Sequence, residues 1–187
     1  NPNFKFIEGD LLNKDGLKEW FKGAELVFHL SANADIKDGL NHPYKDLEQN
    51  TIVTFNVLES MRLNNIKKIV FSSTGSVYGE AQYFPQDEDH PLVPRSFYGV
   101  SKLAGEKYCK LFSETKGLDI IVLRYLHVFG PNQEDDEELG GVVAIFINRA
   151  KNGLPLIVHG DGTQQRSFTH VDDIVNIHLF AATSEDA

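Results

Sequence analysis

Residues 69–74 read Ile-Val-Phe-Ser-Ser-Thr, and residues 75–79 continue as Gly-Ser-Val-Tyr-Gly. The apolar half of this stretch is typical of a strand buried on both faces of a parallel sheet. The hydroxyl and glycine residues after it are typical of the turn at the end of such a strand. Similar apolar runs cover Glu25–Leu30 and Asp119–Tyr125. Because helical patterns separate these runs, the sequence predicts an α/β fold with a parallel sheet and crossover helices.

The other predicted elements continue this alternation along the chain. The predicted strands are Phe4–Glu8, Glu25–Leu30, Lys68–Ser72, Asp119–Tyr125 and Leu156–Val158. The predicted helices are Lys14–Phe21, Tyr44–Asn64, Tyr98–Thr115 and Val142–Lys151. Residues 79–94 contain Pro85, Pro91 and Pro94 and are predicted to form a loop. The acidic segment Gln133–Gly141 is interpreted as a solvated, mobile loop rather than a binding site.

The composition is typical of a single globular domain. The chain has 187 residues, of which 41% are apolar, and a formal net charge of −9. The negative charge argues against nucleic acid as a partner, since phosphate binding needs a basic surface. The single cysteine, Cys109, excludes an internal disulfide and is interpreted as a buried, inert thiol. No apolar run approaches the roughly 20 residues of a membrane span and the N-terminus shows no signal peptide, so we expect a cytoplasmic protein without a membrane partner.

Tyr98 and Lys102 lie four residues apart near the start of a predicted helix, behind Pro94 and Ser96. Residues at that spacing share one helix face, so the phenol and the ammonium can belong to one site. A nearby ammonium favours the phenolate, and we therefore expect Lys102 to lower the pKa of Tyr98 below its usual value of about 10. Such a tyrosine can donate and accept protons near neutral pH. The alternative is a surface pair of the kind that ordinary helices show by chance.

Four motifs occur in order along the chain. They are Ser-Ser-Thr-x-x-Val-Tyr-Gly at 72–79, Tyr-x-x-x-Lys at 98–102, Leu-Arg-Tyr-x-x-Val-Phe-Gly-Pro at 123–131 and Gly-Asp-Gly-x-x-x-Arg-x-Phe-x-His-Val-x-Asp at 160–173. With them the chain resembles the extended short-chain dehydrogenase/reductases, and among these the NAD-dependent nucleotide-sugar epimerases and dehydratases. The resemblance runs from about Phe4 to Ile177. It implies a Rossmann-like, doubly wound, mostly parallel sheet and NAD as the cofactor.

Members of that family open with a strand, a Gly-x-x-Gly-x-x-Gly loop and a helix, which together bind the cofactor pyrophosphate. The chain shows no such loop, and its first predicted strand corresponds to the third strand of the family fold, whose order is 3-2-1-4-5-6. We therefore expect a partial NAD-binding domain over residues 1–187, which lacks the first βαβ unit with its glycine loop and is truncated in the C-terminal substrate region. The beginning of the substrate region is expected at about residues 142–187. Such a fragment is expected to be inactive by itself and to bind NAD too weakly for detection by calorimetry.

The resemblance implies catalytic roles for Thr74, Tyr98 and Lys102. Tyr98 is the expected acid/base that takes a proton from a sugar hydroxyl. Lys102 is expected to lower the pKa of Tyr98 and to bind the nicotinamide ribose. Thr74 corresponds to the family's Ser or Thr that hydrogen-bonds the reacting sugar oxygen. The alternative for Thr74 is a strand-end turn residue without a catalytic role.

The resemblance also implies a set of cofactor contacts. They are Asp10, Leu11, Leu30, Ala32, Asn50, Ser72, Tyr98, Lys102 and Tyr125. Asp10 corresponds to an adenine contact, and it is equally an N-cap candidate for the following helix. Small residues such as Ala32 leave room for ribose and pyrophosphate. His29 is interpreted as a packed strand histidine, and Ser72 and Ser73 as mainly structural residues, with Ser73 as a further candidate for cofactor contact.

The implied substrate contacts are Thr74, Tyr98, His127 and Arg166. Arg166 corresponds to an arginine whose planar fork binds the substrate diphosphate. His127 stands where relatives carry an asparagine, and a histidine differs from it in reach and in its pH-dependent charge. Asp172 and Asp173 are expected to cap the following helix. No set of His, Cys, Asp and Glu residues has metal-ligand spacing, so no metal site is predicted.

The sequence favours 4-epimerisation among the reactions of the family. Dehydratases and decarboxylases of the family carry an acid two residues after the catalytic Thr, whereas Ser76 occupies that position here. The leading substrate pair is UDP-glucose and UDP-galactose. A dehydratase, a reductase of small carbonyls and a non-catalytic module remain alternatives, although Arg166 argues against a small substrate. A homodimer is implied through the helices near 44–64 and 98–115, which family members pack into a four-helix bundle.

Overall fold

The computed structural model describes residues 2–135 and 140–184. These residues form two compact units. The first unit extends to Arg124 and includes Ser184, and the second runs from Tyr125 to Thr183. The predicted substrate region from about residue 142 is a functional division of the chain and stays a prediction.

The first unit contains a three-stranded sheet packed against helices. Its strands are β1 (Leu26–His29), β2 (Lys68–Thr74) and β3 (Asp119–Tyr125), the last of which ends on the first residue of the second unit. Its helices are α1 (Lys14–Trp20), α2 (Ile36–Asn41), α3 (Pro43–Asp46), α4 (Val53–Leu63) and α5 (Phe97–Lys116). A π-helical segment, Leu47–Ile52, joins α3 to α4, and a 3₁₀ turn, Gly75–Val77, follows β2.

The sheet has the strand order β1-β2-β3, as predicted for consecutive strands on one side of a doubly wound fold. β1 pairs with β2 in parallel, so that Val27 lies beside Ile69 and His29 beside Phe71. The Ser72 hydroxyl donates to the His29 carbonyl oxygen, 2.9 Å away, and ties the two strands together near their carboxyl ends. The predicted α/β class with parallel strands is therefore confirmed.

The core of the first unit lies between β2 and helices α4 and α5. Its residues share almost complete exclusion from water, and they are Val57, Leu58, Met61, Ile66, Ile69, Phe71, Cys109, Phe112 and Leu118. Burial of apolar surface contributes about 25 cal/mol per Å² to folding, so this cluster is a main source of stability. Burial also raises the pKa of the Cys109 thiol to about 12, which confirms the interpretation of this cysteine as buried and inert.

Local sequence determines both ends of α5, and its close approach to β2 depends on a glycine. The Ser96 side chain caps the first turn by accepting from the Gly99 amide at 3.0 Å, and Gly117 ends the helix in the left-handed region at a φ of 65°. At Gly105 a Cβ atom would lie 2.9 Å from the Phe71 ring, so a larger residue would push the helix away from the sheet. The predicted helix is confirmed with one additional residue at each end.

Two predicted strands do not form in the described residues. Phe4–Glu8 has no regular structure, and its Phe4 and Phe6 side chains are 73% and 75% exposed. No strand within residues 2–135 and 140–184 lies beside this segment. Leu156–Val158 is likewise irregular and exposed. An apolar run forms a strand only when a neighbouring strand completes its hydrogen bonds, and the pattern of one run does not identify that neighbour.

The second unit contains a two-stranded parallel sheet and two helices. These elements are β4 (His127–Phe129), β5 (Phe168–His170), α6 (Val142–Lys151) and α7 (Val171–Thr183). β4 pairs with β5 so that His127 lies beside Phe168. The sequence predicts neither of these strands, because runs of three residues are too short for their period to stand out. The predicted helix α6 is confirmed, and α7 carries Asp172 and Asp173 in its first turn.

Three further predictions concern a helix, a loop and membrane-spanning segments. α2 forms where no helix is predicted, with Asp35 as its N-cap. Of the loop predicted over Gln133–Gly141, residues 136–139 lie outside the described residues. In the ranges 2–135 and 140–184, no helix combines the length and the apolar character that crossing a membrane requires.

Candidate active site

Thr74 is the last residue of β2, at the carboxyl end of the strand, and only 9% of it is exposed. Its Oγ1 accepts from the Ser76 amide at 3.2 Å and donates to the Ser76 hydroxyl at 3.3 Å. These bonds cap the 3₁₀ turn, so in this conformation Thr74 acts as the strand-end turn residue that the sequence offers as an alternative to a catalytic role. A hydroxyl has one proton and two lone pairs, which leaves capacity for a ligand at the same atom.

Tyr98 lies in the first turn of α5, and this turn packs on the segment that follows β2. Its neighbour Gly99 permits the contact, because a Cβ atom there would lie 2.7 Å from the Ser76 carbonyl oxygen. Burial raises the pKa of Tyr98, interaction with the Thr74 hydroxyl opposes this rise, and the Asp46 carboxylate adds to it. The structure thus brings Tyr98 and Thr74 together, with Tyr98 as a neutral phenol that can donate a proton.

Lys102 is buried against the sheet, with 2% of the residue exposed. Its ammonium lies 4.5 Å from the centroid of the Phe71 ring, a cation–π arrangement. Burial lowers the pKa of Lys102 to about 8, while Cys109 and Glu106 act in the opposite direction. The expectation that Lys102 lowers the pKa of Tyr98 is wrong for this conformation, because burial of the phenol dominates and raises that pKa.

A polar cleft of about 500 Å³ in the first unit is lined by Glu8, Gly9, Asp10, Leu11, Ser31 and Gln49. Two segments that are predicted to contact the cofactor both line this cleft. They are the segment around Asp10 and the segment that follows β1. The Asp10 carboxylate accepts from the Leu12 amide at 2.8 Å, whereas Asn13 caps α1. The alternative interpretation of Asp10 as the N-cap of that helix is therefore wrong.

The residues at the end of β1 divide into packed and exposed ones. His29 is 3% exposed, and its Nε2 lies 3.0 Å from the Thr54 hydroxyl. Burial, with a smaller effect of the Lys102 charge, lowers the pKa of His29 to about 3, which confirms the packed histidine. Leu30 is 59% exposed and Ala32 is half-buried, so both remain accessible to a ligand. Ser72 is 7% exposed and bonded across the strands, in agreement with its structural interpretation.

Asn50 lies in the π-helical segment and is 1% exposed. Its Oδ1 accepts from the Asn33 amide at 2.7 Å, and its Nδ2 donates to the Ser101 hydroxyl at 2.9 Å and to Asp46 Oδ1 at 3.2 Å. Asn50 thus connects the segment after β1 with α5, the helix of Tyr98. Asp46, Asn33 and Ser101 belong to this network, and the sequence patterns do not identify them. The spacing of four residues between Asp46 and Asn50 is the signal that points to their contact.

The second unit holds the remaining predicted site residues, Tyr125, His127 and Arg166. The Tyr125 hydroxyl lies 2.6 Å from Nε2 of His178, and burial raises the pKa of Tyr125 to about 12. Partial burial lowers the pKa of His127, and the positive charge of Arg166 adds to this effect. The structure therefore brings His127 and Arg166 into electrostatic range of each other. Among the described residues, no group of three or more His, Cys, Asp or Glu side chains is placed to hold a metal ion.

Three residues on a parallel α/β fold define the class of short-chain dehydrogenase/reductases. They are Thr74 with its strand-end hydroxyl, the helix tyrosine Tyr98 and the buried Lys102. The family described as the NAD dependent epimerase/dehydratase family matches residues 1–187, and the chain belongs to this family.

Individual relatives agree with this assignment. A Methanocaldococcus jannaschii protein named provisionally as a UDP-glucose 4-epimerase is 40% identical over 183 residues, which cover 97% of this chain and 60% of the relative. The UDP-glucose 4-epimerase of Thermotoga maritima, solved with UDP-glucose, is 36% identical with a TM-score of 0.92, covering 98% of this chain and 60% of that one. The Thermus thermophilus UDP-glucose 4-epimerase, in complex with NAD, is 34% identical with a TM-score of 0.88, covering 98% and 62%.

These similarities confirm the Rossmann-like fold and the resemblance on which the site assignments depend. The chain spans about 60% of the length of the relatives it matches.

Proposed function

We propose that the whole protein is an NAD-dependent nucleotide-sugar 4-epimerase, with UDP-glucose and UDP-galactose as the leading substrate pair. The observation that carries the proposal is the packing of the first turn of α5 on the turn after β2, which brings the Tyr98 phenol to the Thr74 hydroxyl. The epimerases of similar structure that were solved with UDP-glucose or with NAD support the substrate class and the cofactor.

In the proposed reaction Tyr98 takes the proton of the sugar 4-hydroxyl, and Thr74 hydrogen-bonds the same oxygen. NAD, when bound, would accept the hydride from the carbon that carries this hydroxyl and later return it to the same carbon. Tyr98 then returns the proton when the 4-keto sugar is reduced from its other face. Tyr98 must be a phenolate to take this proton, and burial disfavours that form in the conformation described. The proposed proton transfer therefore requires the Lys102 ammonium, on the same helix, to approach the phenol in the ligand-bound protein. Because the pKa of Lys102 is about 8, its ammonium is charged near neutral pH.

The residues present fit the adenosine half of the proposed cofactor. The 500 Å³ cleft lies within the size range of ligand pockets, which is about 300–1,000 Å³. Two of its lining residues, Glu8 and Asp10, are acidic, and acidic side chains suit hydrogen-bond donors such as an adenine amino group or ribose hydroxyls rather than phosphate. Asp10, Leu11, Leu30 and Ala32 would hold this half, Ser72 and Tyr125 are the further proposed contacts, and Asn50 acts as a scaffold. Tyr98 and Lys102 would bind the nicotinamide ribose.

Two observations support a nucleotide sugar and an epimerase in particular. Arg166, in the second unit, offers the planar fork that suits diphosphate oxygens. The pKa of His127 is lowered by burial and by the charge of Arg166, which favours a neutral imidazole near the guanidinium. Ser76 stands two residues after Thr74, where dehydratases carry an acid, and its amide and hydroxyl both bond to Thr74. Epimerisation requires no further acid at that place.

The proposed assembly is a homodimer formed through α4 and α5. These helices, together with α3 and the π-helical segment, present a stripe of exposed apolar residues, which are Tyr44, Leu47, Phe55, Val100, Tyr108 and Leu111. A cleft of about 400 Å³ lies along the same surface and is lined by residues that include Tyr44, Leu47, Phe97 and Val100. The proposed compartment is the cytoplasm, supported by Cys109 as the single, buried cysteine.

The experiment compares Tyr98→Phe with Tyr108→Phe in the whole protein. Both variants lose one phenol hydroxyl from α5, but Tyr108 lies ten residues further along the helix and is 37% exposed. Conversion of UDP-glucose to UDP-galactose is followed together with NAD binding. We expect Tyr98→Phe to lose a factor of about 10²–10⁴ in kcat with NAD binding intact, and Tyr108→Phe to retain normal turnover. Near-normal turnover in Tyr98→Phe, or no turnover of any UDP-sugar by the unchanged protein, would overturn the proposal.

A further inference from the structure

The proposed reaction leaves a buried ion pair at the carboxyl end of the sheet without an assigned role. Glu106 lies on α5 and is 7% exposed, and the Arg124 side chain, near the end of β3, is 20% exposed. Nε of Arg124 donates to Glu106 Oε1 at 3.0 Å and Nη2 donates to Oε2 at 2.8 Å, which is the two-pronged arrangement of a guanidinium on a carboxylate. Both oxygens of Glu106 are thereby engaged.

The same pair reaches the strand of Thr74 and the segment after it. The Ser73 hydroxyl donates to Glu106 Oε1, one residue before Thr74. The third nitrogen of the guanidinium, Nη1, donates to the Tyr78 hydroxyl at 2.9 Å, and the guanidinium carbon lies 4.9 Å from the centroid of the Tyr78 ring. Three separate pieces of the chain, namely β2 with its following turn, α5 and β3, therefore meet at one carboxylate and one guanidinium.

The position of Glu106 along α5 relates the pair to the catalytic residues. Tyr98, Lys102 and Glu106 are spaced by four residues, so they follow one another along one face of the helix. A shift of α5 along β2 would move Tyr98 relative to Thr74, and the bonds of Glu106 to Ser73 and Arg124 oppose such a shift. Glu106 also places a negative charge one helical turn from the Lys102 ammonium.

We propose that the Glu106–Arg124 pair is a positioning element for the proposed reaction, in which it holds the strand of Thr74 against the helix of Tyr98 and keeps an anion beside Lys102. The inference rests on the proposed function for its choice of the reacting residues. Neither Glu106 nor Arg124 needs to touch the substrate, since both act through Thr74, Tyr98 and Lys102.

The other charged or titratable groups around Lys102 leave Glu106 as the anion that matters. Cys109 on the same helix acts on Lys102 only as a thiolate, and its pKa of about 12 keeps it a neutral thiol near pH 8. His29, on β1, has a pKa of about 3 and is neutral in the same range. Asp46, before the π-helical segment, acts on Tyr98.

The test uses the whole protein and the variants Glu106→Gln, Arg124→Gln and Arg124→Lys. The pKa of the Lys102 ammonium is measured by NMR titration of isotope-labelled lysine side chains over pH values on both sides of 8, because the side chain is too buried for a chemical reagent. Removal of the anion should lower that pKa, and removal of the guanidinium, which leaves Glu106 uncompensated, should raise it. The shift for Glu106→Gln should be about one pH unit, the order expected for charges one helical turn apart, and the shift for Arg124→Gln should have the opposite sign. Arg124→Lys keeps the charge, so the pKa of Lys102 should stay near 8.

Turnover measurements test the positioning half of the inference. The alkaline limb of the kcat profile should move with the Lys102 pKa in each variant. Arg124→Lys should lose about tenfold or more in kcat at unchanged Lys102 pKa, because an ammonium cannot reproduce the two-pronged contact that fixes α5 on β2. This variant and Glu106→Gln still decide the matter if Arg124→Gln does not fold.

The matched controls are Glu59→Gln and Arg62→Gln on α4, which alter a similar two-pronged pair that is 36% and 40% exposed. These controls should leave both the pKa of Lys102 and kcat unchanged.

Shifts of the Lys102 pKa in the same direction for Glu106→Gln and Arg124→Gln, or an Arg124→Lys variant with normal kcat, would overturn the inference. If only the epimerase proposal is wrong, the opposed pKa shifts persist without UDP-sugar turnover. If only the pair's role is wrong, turnover by the unchanged protein is normal and the opposed shifts are absent.

Discussion

The buried His29 predicts a specific loss of stability in mild acid. The Thr54 hydroxyl uses its one proton to donate to the Asn50 carbonyl oxygen at 2.6 Å, so the 3.0 Å contact with His29 requires Nε2 of the imidazole to be the donor. Protonation would have to place a second proton on Nδ1 of a ring that is 3% exposed. Burial and the nearby Lys102 charge therefore lower the pKa of His29 from 6.5 to about 3.

The size and direction of the effect follow from this shift. Between about pH 6.5 and pH 3 the unfolded chain binds a proton on His29 and the folded protein does not, so the free energy of unfolding falls as the pH falls. The contribution is fully present above pH 6.5 and decreases by about 1.4 kcal/mol for each pH unit below it. At about pH 4.5 the loss is therefore on the order of 3 kcal/mol, a large part of the stability of a small domain.

The assay compares the unchanged protein with His29→Gln, whose side-chain amide can donate to Thr54 but does not titrate. Urea unfolding followed by circular dichroism at about pH 7.5 and about pH 4.5 gives the free energy of unfolding at each pH. We expect the unchanged protein to lose about 3 kcal/mol more between these values than His29→Gln does. The exposed His159 is the control, and His159→Gln should leave the pH dependence of the unchanged protein intact. Equal losses in His29→Gln and the unchanged protein would refute the reasoning.

Two further predictions concern the core and the assembly. Leu58→Ala should lower the free energy of unfolding by about 2–5 kcal/mol, because Leu58 is completely buried. The control is Leu63→Ala on the same helix, where the residue is 46% exposed. It should lower the free energy of unfolding by less than about 0.5 kcal/mol in the same denaturation assay. Leu111→Glu places a charge on the apolar stripe of α4 and α5, so it should convert the proposed homodimer to a monomer in light scattering. The control is Leu179→Glu, at a similarly exposed position of the second unit, which should leave the homodimer intact. A monomeric unchanged protein, or equal costs for the two leucine truncations, would contradict these expectations.

Much of the fold can be predicted from local patterns. The apolar run of β2, the Ser96 cap and the Gly117 end of α5 are each encoded within a few residues, because burial on both sheet faces and helix capping are local requirements. The four-residue spacing of Tyr98 and Lys102 likewise suffices to place both on one helix face. The motifs around these residues are also sufficient to indicate the family, which the comparisons confirm.

The tertiary structure decides what those local patterns leave open. Whether Phe4–Glu8 becomes a strand depends on a neighbouring strand, and the described residues provide none. The effect of Lys102 on Tyr98 depends on burial, and burial reverses the expected direction of the Tyr98 pKa shift.

The contacts of Asn50 with Ser101 and of Glu106 with Arg124 join residues that are far apart in the chain, so only the packing of α5 on the sheet reveals them. Electrostatic and hydrogen-bond partners are set by distance in space, which a sequence pattern encodes only within a helix or a strand.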